Sequence, residues 1–344
     1  MKVVHIAGER NVVVTEEARP VAGAGEVLLR MGYVGFCGSD LNTYLGRNTM
    51  ARANVIPGHE IGATVEALGA GVADDLAIGA TVTVNPYTAC GVCSSCRNLR
   101  ANACRYNETL GVQRDGAMRE YLAVPREKVI PVSGVALRDC ALIEPMSVGF
   151  HAVARAEVTD TDTVVVIGCG MVGLGAVVRA VQRGATVIAV DLAEEKLDLA
   201  RALGARHGIC PLREEIAAAV GELTGGAGAD VVIEAVGSPV TYVAAVEAAA
   251  FTGRVVCIGY AKAPVTFQTK LFVQKELDIR GSRNAMPDDF RGVIRYLQSA
   301  KVSLDPFVTE VVGPDDAGRA LADWAADPGR VFRILVRFAA MGVS

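Results

Sequence analysis

The sequence predicts an α/β protein built from a β-rich, barrel-like part and a doubly wound parallel sheet of six strands. Three observations lead there. Short valine-rich runs separated by Gly and Pro occupy roughly the first 150 residues, which is the spacing of a barrel-like β fold. From about residue 160, apolar runs alternate with helical stretches, the pattern of right-handed βαβ units and a parallel sheet. After Gly281 the alternation stops, and the last stretch is expected to return to the first part.

In chain order, the valine-rich runs are Val12-Val13-Val14, Val27-Leu28-Leu29 and Thr81-Val82-Thr83-Val84. The predicted parallel strands are Val164–Ile167, Val187–Val190, His207–Cys210, Val231–Ala235, Val255–Ile258 and Leu277–Arg280. Between them, Glu194–Leu203 reads as a helix, because Leu197, Ala200 and Leu203 recur every three residues. Six is the strand count of a complete dinucleotide-binding sheet.

Composition bounds the function. The 344 residues correspond to about two domains at roughly 150 residues each. Lys plus Arg number 34 and Asp plus Glu number 38, a net charge of −4. No cationic excess exists to neutralise a phosphate backbone, so no nucleic-acid partner is expected. The mean hydropathy of +0.33 raises the membrane question. The most apolar run, from Val164 to Val178, falls short of the ~20 residues a spanning helix needs and carries Gly168, Gly170, Gly173 and Gly175. Met1-Lys2-Val3-Val4-His5 lacks the apolar region of a signal peptide. A cytoplasmic protein with no membrane partner is therefore expected. Clustered cysteines in such a chain read as metal ligands more readily than as disulfides.

Val164-Val165-Val166-Ile167 leads into Gly168-Cys169-Gly170-Met171-Val172-Gly173. A glycine turn between a buried strand and a helix suits a dinucleotide. Gly168 permits the tight turn, Gly170 the approach of a pyrophosphate, and Gly173 close helix–strand packing. The helix start, with Met171 and Val172, offers N–H groups to the phosphates. Asp191 ends the next strand, eighteen residues after Gly173. An acid there accepts the adenosine ribose hydroxyls and repels a 2′-phosphate, which predicts NAD over NADP. Its alternative role is a helix N-cap. Lys196 is the nearest cation. Lys196, Val236 and Arg283 are taken as further cofactor contacts.

Cys90, Cys93, Cys96 and Cys104 follow the spacing C-x2-C-x2-C-x7-C. Four thiolates on one loop suit tetrahedral Zn²⁺, in preference to an iron–sulfur cluster or disulfides, and leave no open position, so this site is structural. Arg97, Asn98, Arg100 and Asn102 within it read as solvated surface. A second set is dispersed: Cys37-Gly38-Ser39-Asp40, Pro57-Gly58-His59-Glu60 and Leu142-Ile143-Glu144-Pro145. Cys, His and carboxylate together leave a fourth position for substrate, as a catalytic zinc needs. Taken singly, each of these residues would read as structural.

On these motifs the chain resembles the zinc-dependent medium-chain dehydrogenases, on the polyol branch that includes sorbitol dehydrogenase, over essentially its whole length. The resemblance implies a GroES-like catalytic domain over 1–148 and 289–344, a Rossmann NAD-binding domain over 149–288, and a cleft between them. It implies one catalytic and one structural zinc per subunit, and a homodimer or homotetramer. Cys37 and His59 become catalytic zinc ligands, with Glu60 a direct or intermittent third. Glu144 stands where other branches place a cysteine, and binds zinc directly or through water. Asp40 orients His59. Ser39 relays the alcohol proton. Two departures are notable. Ala63 replaces the glycine usual three positions past Glu60. Asn42 stands where alcohol dehydrogenases often carry a proton-relaying histidine, and an amide accepts no proton at neutral pH.

The expected reaction is hydride transfer from a secondary hydroxyl of a polyol or sugar acid to NAD, giving a ketone. Arg47-Asn48, Met118-Arg119 and Arg283-Asn284 border the family's cleft, and an arginine fork matches the carboxylate of an aldonate. The alternatives are dehydrogenation of threonine or a simple secondary alcohol, or a non-catalytic NAD-binding protein. His151, His207, Cys140, Cys210, Cys257 and Trp324 are expected to be structural.

Overall fold

A computed structural model describes residues 1–73, 75–299 and 303–338. The chain divides into two compact units, Met1–Glu144 with Ile294–Ser344, and Pro145–Val293.

In the first unit, the long strand Glu26–Phe36 organises a seven-stranded sheet among the described residues. It pairs antiparallel with Glu60–Leu68, Tyr121–Pro125 and Ile334–Arg337. Glu60–Leu68 continues to Thr81–Val84 and then Val129–Pro131, while Glu310–Val312 pairs parallel with Ile334–Arg337. A separate hairpin joins Lys2–Gly8 to Asn11–Glu16. Leu29, Met31, Phe36, Ile61 and Met118 fill the core, and helix Ala317–Ala326 packs Trp324 against it. The strand Ile334–Arg337 thus brings residues 334–337 beside residues 33–36.

The second unit is a parallel sheet of six strands among the described residues. Its spatial order is His207–Ile209, Thr186–Val190, Thr163–Ile167, Ala229–Glu234, Ala249–Cys257 and Asp278–Gly281. Every neighbouring pair is parallel. Val164, Val165, Val166 and Ile167 are all buried, as a strand covered on both faces requires. The strand order reverses between Thr163–Ile167 and Ala229–Glu234, the point at which open α/β sheets bind ligands. Each predicted strand appears within a few residues, except that Ala249–Cys257 starts earlier. The predicted helix is Glu194–Ala202.

Candidate active site and metal centres

Strand Glu26–Phe36 runs into Cys37, which caps helix Gly38–Tyr44. Asp40 is buried, and its Oδ2 accepts the Cys37 N–H at 2.8 Å. The cap therefore fixes the main chain that carries the thiol. Asp40 Oδ1 and His59 Nδ1 are both buried without a hydrogen-bond partner, so the two side chains are not bonded to one another through these atoms. Asp40 acts on His59 through space, as one of the charges that favour its cation.

His59 precedes strand Glu60–Leu68, whose register sets Glu60 opposite Gly35. A Cβ on Gly35 would lie 2.2 Å from Glu60 Oε2, so any larger residue there would push the carboxylate from where it crosses its partner strand. The neighbouring register, Ile334 opposite Phe36, delivers Arg333 to the same place. Its Nη1 lies 3.0 Å from Glu60 Oε1 and donates to the Phe36 carbonyl at 2.7 Å. Glu60 is wholly buried and Arg333 nearly so. Burial is the largest effect on the Glu60 carboxyl and pushes it up to about 7, with Arg333 and His59 opposing. Burial alone would lower His59, but Cys37, then Glu144 and Asp40, carry it well above the usual imidazole value.

One donor atom from each of Cys37, His59 and Glu60 lies within 4.8 Å of the others. Glu60 Oε2 and His59 Nδ1 are buried without a hydrogen-bond partner, and Glu60 Oε1 has the Arg333 ion pair. A thiol, an imidazole and a carboxylate with unmet donor capacity in one buried place fit a divalent cation. Glu144 lies outside this trio. It begins helix Ile143–Arg155, and its Oε1 accepts the Tyr87 hydroxyl. Tyr87, which sequence reasoning did not single out, is held well above its ordinary pKa, first by burial and then by Glu144. Ser39 Oγ is buried and without a partner. Asn42 donates its amide to the Gly38 carbonyl at 2.8 Å.

The four-cysteine lobe stands apart in sequence, and none of its thiols is in a disulfide. All four sulfurs lie within 4.8 Å of one another. Cys93 Sγ is 3.5 Å from Cys96 Sγ and 3.8 Å from Cys104 Sγ. A regular tetrahedron with Zn–S bonds of about 2.3 Å has edges of about 3.8 Å. Backbone N–H groups of Cys90 and Tyr106 reach Cys104 Sγ, and that of Cys93 reaches Cys90 Sγ, each at 3.3 Å. Such donors stabilise thiolates. The Ser95 hydroxyl, with main-chain donors, draws Cys93 down to about 5, while burial pushes Cys96 up to about 11. One correction concerns the lobe's polar residues: Asn102 is buried, at 5% exposure, and belongs to the packing of the loop.

In the second unit, Gly168 turns with φ +95° and Gly170 caps helix Met171–Gln182. A Cβ on Gly173 would fall 1.7 Å from the Gly168 carbonyl oxygen. Gly173→Ala is therefore expected to force the turn open, at about 1–3 kcal/mol of strain. A fall in coenzyme affinity larger than the fall in thermal stability, read by coenzyme titration and thermal melting, checks this. Asp191 ties the turn to the next helix: Oδ2 accepts the Cys169 N–H at 2.8 Å and Oδ1 accepts the Ala193 N–H at 3.0 Å. Val236 lies against Gly168, with its Cγ2 2.6 Å from where a Gly168 Cβ would be. The buried Glu234 holds that wall, accepting from the Val236 and Gly237 N–H groups and the Thr241 hydroxyl. Lys196 lies in the first turn of helix Glu194–Ala202, and Arg283 follows the outer strand Asp278–Gly281. Burial, then Asp191, pushes the Cys169 thiol up to about 12, so it stays protonated.

The other conspicuous residues behave structurally. His151 Nδ1 lies 2.9 Å from Asp289 Oδ2. Met118 is fully buried, and Arg119 turns back to donate to the Gly116 carbonyl at 2.9 Å. Cys140 and Cys210 are buried, whereas Cys257 is only partly so.

Residues 23–134 match the alcohol dehydrogenase GroES-like domain, and residues 172–299 match the zinc-binding dehydrogenase domain. An L-galactonate-5-dehydrogenase from Escherichia coli strain K12 is 34% identical over 290 residues, covering 84% of this chain and 85% of its own. This chain belongs to the zinc-type alcohol dehydrogenase family. A sorbitol dehydrogenase from Halalkalibacterium halodurans is 33% identical over 308 residues, 88% of this chain and 89% of its own. A solved structure described as a short chain alcohol dehydrogenase from Escherichia coli CFT073, in complex with NADH, superposes with a TM-score of 0.90 at 28% identity, covering 98% of this chain and 99% of that one. As a zinc-type alcohol dehydrogenase, the chain is an oxidoreductase with a GroES-like and a Rossmann domain.

Proposed function

We propose that this enzyme oxidises a secondary hydroxyl of a polyol or sugar acid to a ketone, with NAD⁺ as hydride acceptor. The observation that carries the reading is the Cys37–His59–Glu60 trio, whose donor atoms gather within 4.8 Å in a chain that also carries the glycine turn held by Asp191. The relatives named for L-galactonate and sorbitol support the substrate class.

Cys37, His59 and Glu60 hold the catalytic zinc, and Cys90, Cys93, Cys96 and Cys104 the structural one. Zinc at the trio supplies Lewis acidity that lowers the pKa of a hydroxyl bound to it. The residues around it orient and buffer. Asp40 locks the main chain of Cys37. Arg333 balances Glu60 in a dry setting. Ser39 Oγ, buried and unpartnered, would accept the hydroxyl proton while passing its own toward the coenzyme ribose, and so acts as a relay. Asn42 is engaged in its own helix and cannot pass that proton on. Gly168, Gly170, Met171, Val172 and Gly173 cradle the pyrophosphate, with Asp191 at the ribose and Val236, Lys196 and Arg283 as further contacts.

The clustering of four cysteines as a metal-binding set supports a cytoplasmic location. No helix among the described residues is long and apolar enough to cross a membrane. A homodimer or homotetramer is favoured by the open sheet edge at Asp278–Gly281, which carries the exposed Ile279.

The reading is tested by following NADH formation across alditols, aldonates, threonine and simple alcohols, and identifying the ketone by mass. Turnover of one alditol or aldonate is expected. Turnover confined to threonine or simple alcohols would overturn the substrate class. The coenzyme has its own check. Asp191→Ala is expected to lower the NAD⁺/NADP⁺ ratio of kcat/KM by about tenfold or more, one charge repulsion of roughly 1.4 kcal/mol. An unchanged ratio would contradict the role of Asp191.

A further inference from the structure

The trio leaves one acid unexplained. Glu144 is 4% exposed and near enough to shift both His59 and Glu60, yet it is not among the donors that converge. What holds it is visible. Its Oε1 accepts the hydroxyl of Tyr87, itself 6% exposed. Tyr87 is tied on both sides of its own main chain: its N–H donates to Asn85 Oδ1 at 3.1 Å, and its carbonyl accepts from Lys128 Nζ at 2.9 Å. The Asn85 N–H in turn donates to the Lys128 carbonyl at 2.8 Å. The phenol oxygen is therefore fixed from a rigid base. Glu144 also sits in the first turn of helix Ile143–Arg155, where the helix dipole favours its charge. Both effects keep the carboxylate where it is.

We propose that Tyr87 is a positioning residue that holds Glu144 off the metal, so that the position opposite Cys37, His59 and Glu60 stays open for the substrate hydroxyl. This rests on reading the trio as the metal site. A second carboxylate on the ion would close the open position and add a negative charge that weakens its Lewis acidity. Tyr87 opposes both by engaging Glu144 Oε1 from a fixed base, away from the atoms of the trio.

The test uses the full-length enzyme with Co²⁺ in place of zinc. The visible spectrum of the trio is isolated by subtracting that of His59→Ala, which keeps only the four-cysteine site. Glu144→Gln is expected to leave the wild-type spectrum unchanged, because Glu144 is not a ligand. Tyr87→Phe is expected to weaken and shift the d–d bands, as a tetrahedral ion gains a ligand from the freed carboxylate. Tyr87→Phe with Glu144→Gln is expected to restore the wild-type bands and to recover part of the kcat lost in Tyr87→Phe. A merely structural tyrosine would give no restoration. A Glu144→Gln spectrum that differs from wild type would overturn the proposal without any tyrosine variant. So would a Tyr87→Phe spectrum identical to wild type, or a double variant that keeps the altered bands. Metal content separates the two readings: if wild type holds only one ion per chain, the trio itself fails as a metal site and this proposal falls with it. Two ions per chain with unchanged Tyr87→Phe bands remove the tyrosine's role alone.

Discussion

His59→Ala is expected to abolish turnover and to lower the zinc content from two ions per chain to one, while the fold persists. The imidazole supplies the nitrogen ligand between a thiol and a carboxylate whose atoms lie within 4.8 Å of it. Without it, Cys37 and Glu60 face one another with Glu144 and Asp40 nearby, an arrangement of acids in a buried place that resists ionisation. The Lewis acid is then lost. That contribution is worth several kcal/mol, and each ~1.4 kcal/mol is tenfold in rate, so kcat/KM should fall by about 10³-fold or more. The four-cysteine lobe draws nothing from His59, and its ion should remain. Metal analysis with steady-state kinetics checks both halves. Retention of both ions, or of more than about a tenth of the activity, would contradict the assignment.

Arg333→Met is expected to be the most destabilising single change near the site. The arginine balances a wholly buried carboxylate and also caps the Phe36 carbonyl. In the metal-free protein, removing one partner of a buried ion pair costs about 3–5 kcal/mol, because the remaining charge has no water to turn to. For a unit of this size that lowers Tm by on the order of 10 °C. Replacing both partners, Glu60→Gln with Arg333→Met, should recover part of the loss, since the uncompensated charge is then gone. Thermal melting of the single and double variants reads this. Equal Tm values for wild type and Arg333→Met would show that the pair carries little. The same substitution bears on catalysis, because Arg333 is the main force holding the Glu60 carboxyl down against burial.

The parallel sheet was legible for a physical reason. Strands covered on both faces read as unbroken Val and Ile runs, and Val164–Ile167 or Val231–Ile233 cannot be anything else between glycine turns. The strands of the first unit are harder to see, because Glu60–Leu68 and Tyr121–Pro125 mix apolar, small and polar residues. The proposed metal residues stand out because polar, potentially ligating side chains interrupt apolar segments: Cys37 follows a buried strand and His59-Glu60 leads into another. Arg333 and Tyr87 were not. Arg333 meets Glu60 only because Ile334 pairs with Phe36, a register between residues 297 positions apart in the case of the Arg333–Phe36 bond. No local pattern encodes that. One signal did exist: a charged residue directly before the wholly apolar Ile334-Leu335-Val336 must be buried with them or turned away. Asn102 illustrates the opposite error, a polar residue in a cysteine-rich loop that reads as solvated and is packed inside.

Wild-type enzyme stripped of metal and titrated with zinc, with the rate of NADH formation on its best alditol or aldonate followed at each addition, is the measurement to make first. Activity should stay near zero until the four-cysteine site is filled, then rise linearly and saturate at two equivalents per chain, while His59→Ala saturates at one equivalent and stays silent. Full activity in the metal-free enzyme, or activity that saturates with the first equivalent in both proteins, would contradict a catalytic ion at Cys37, His59 and Glu60.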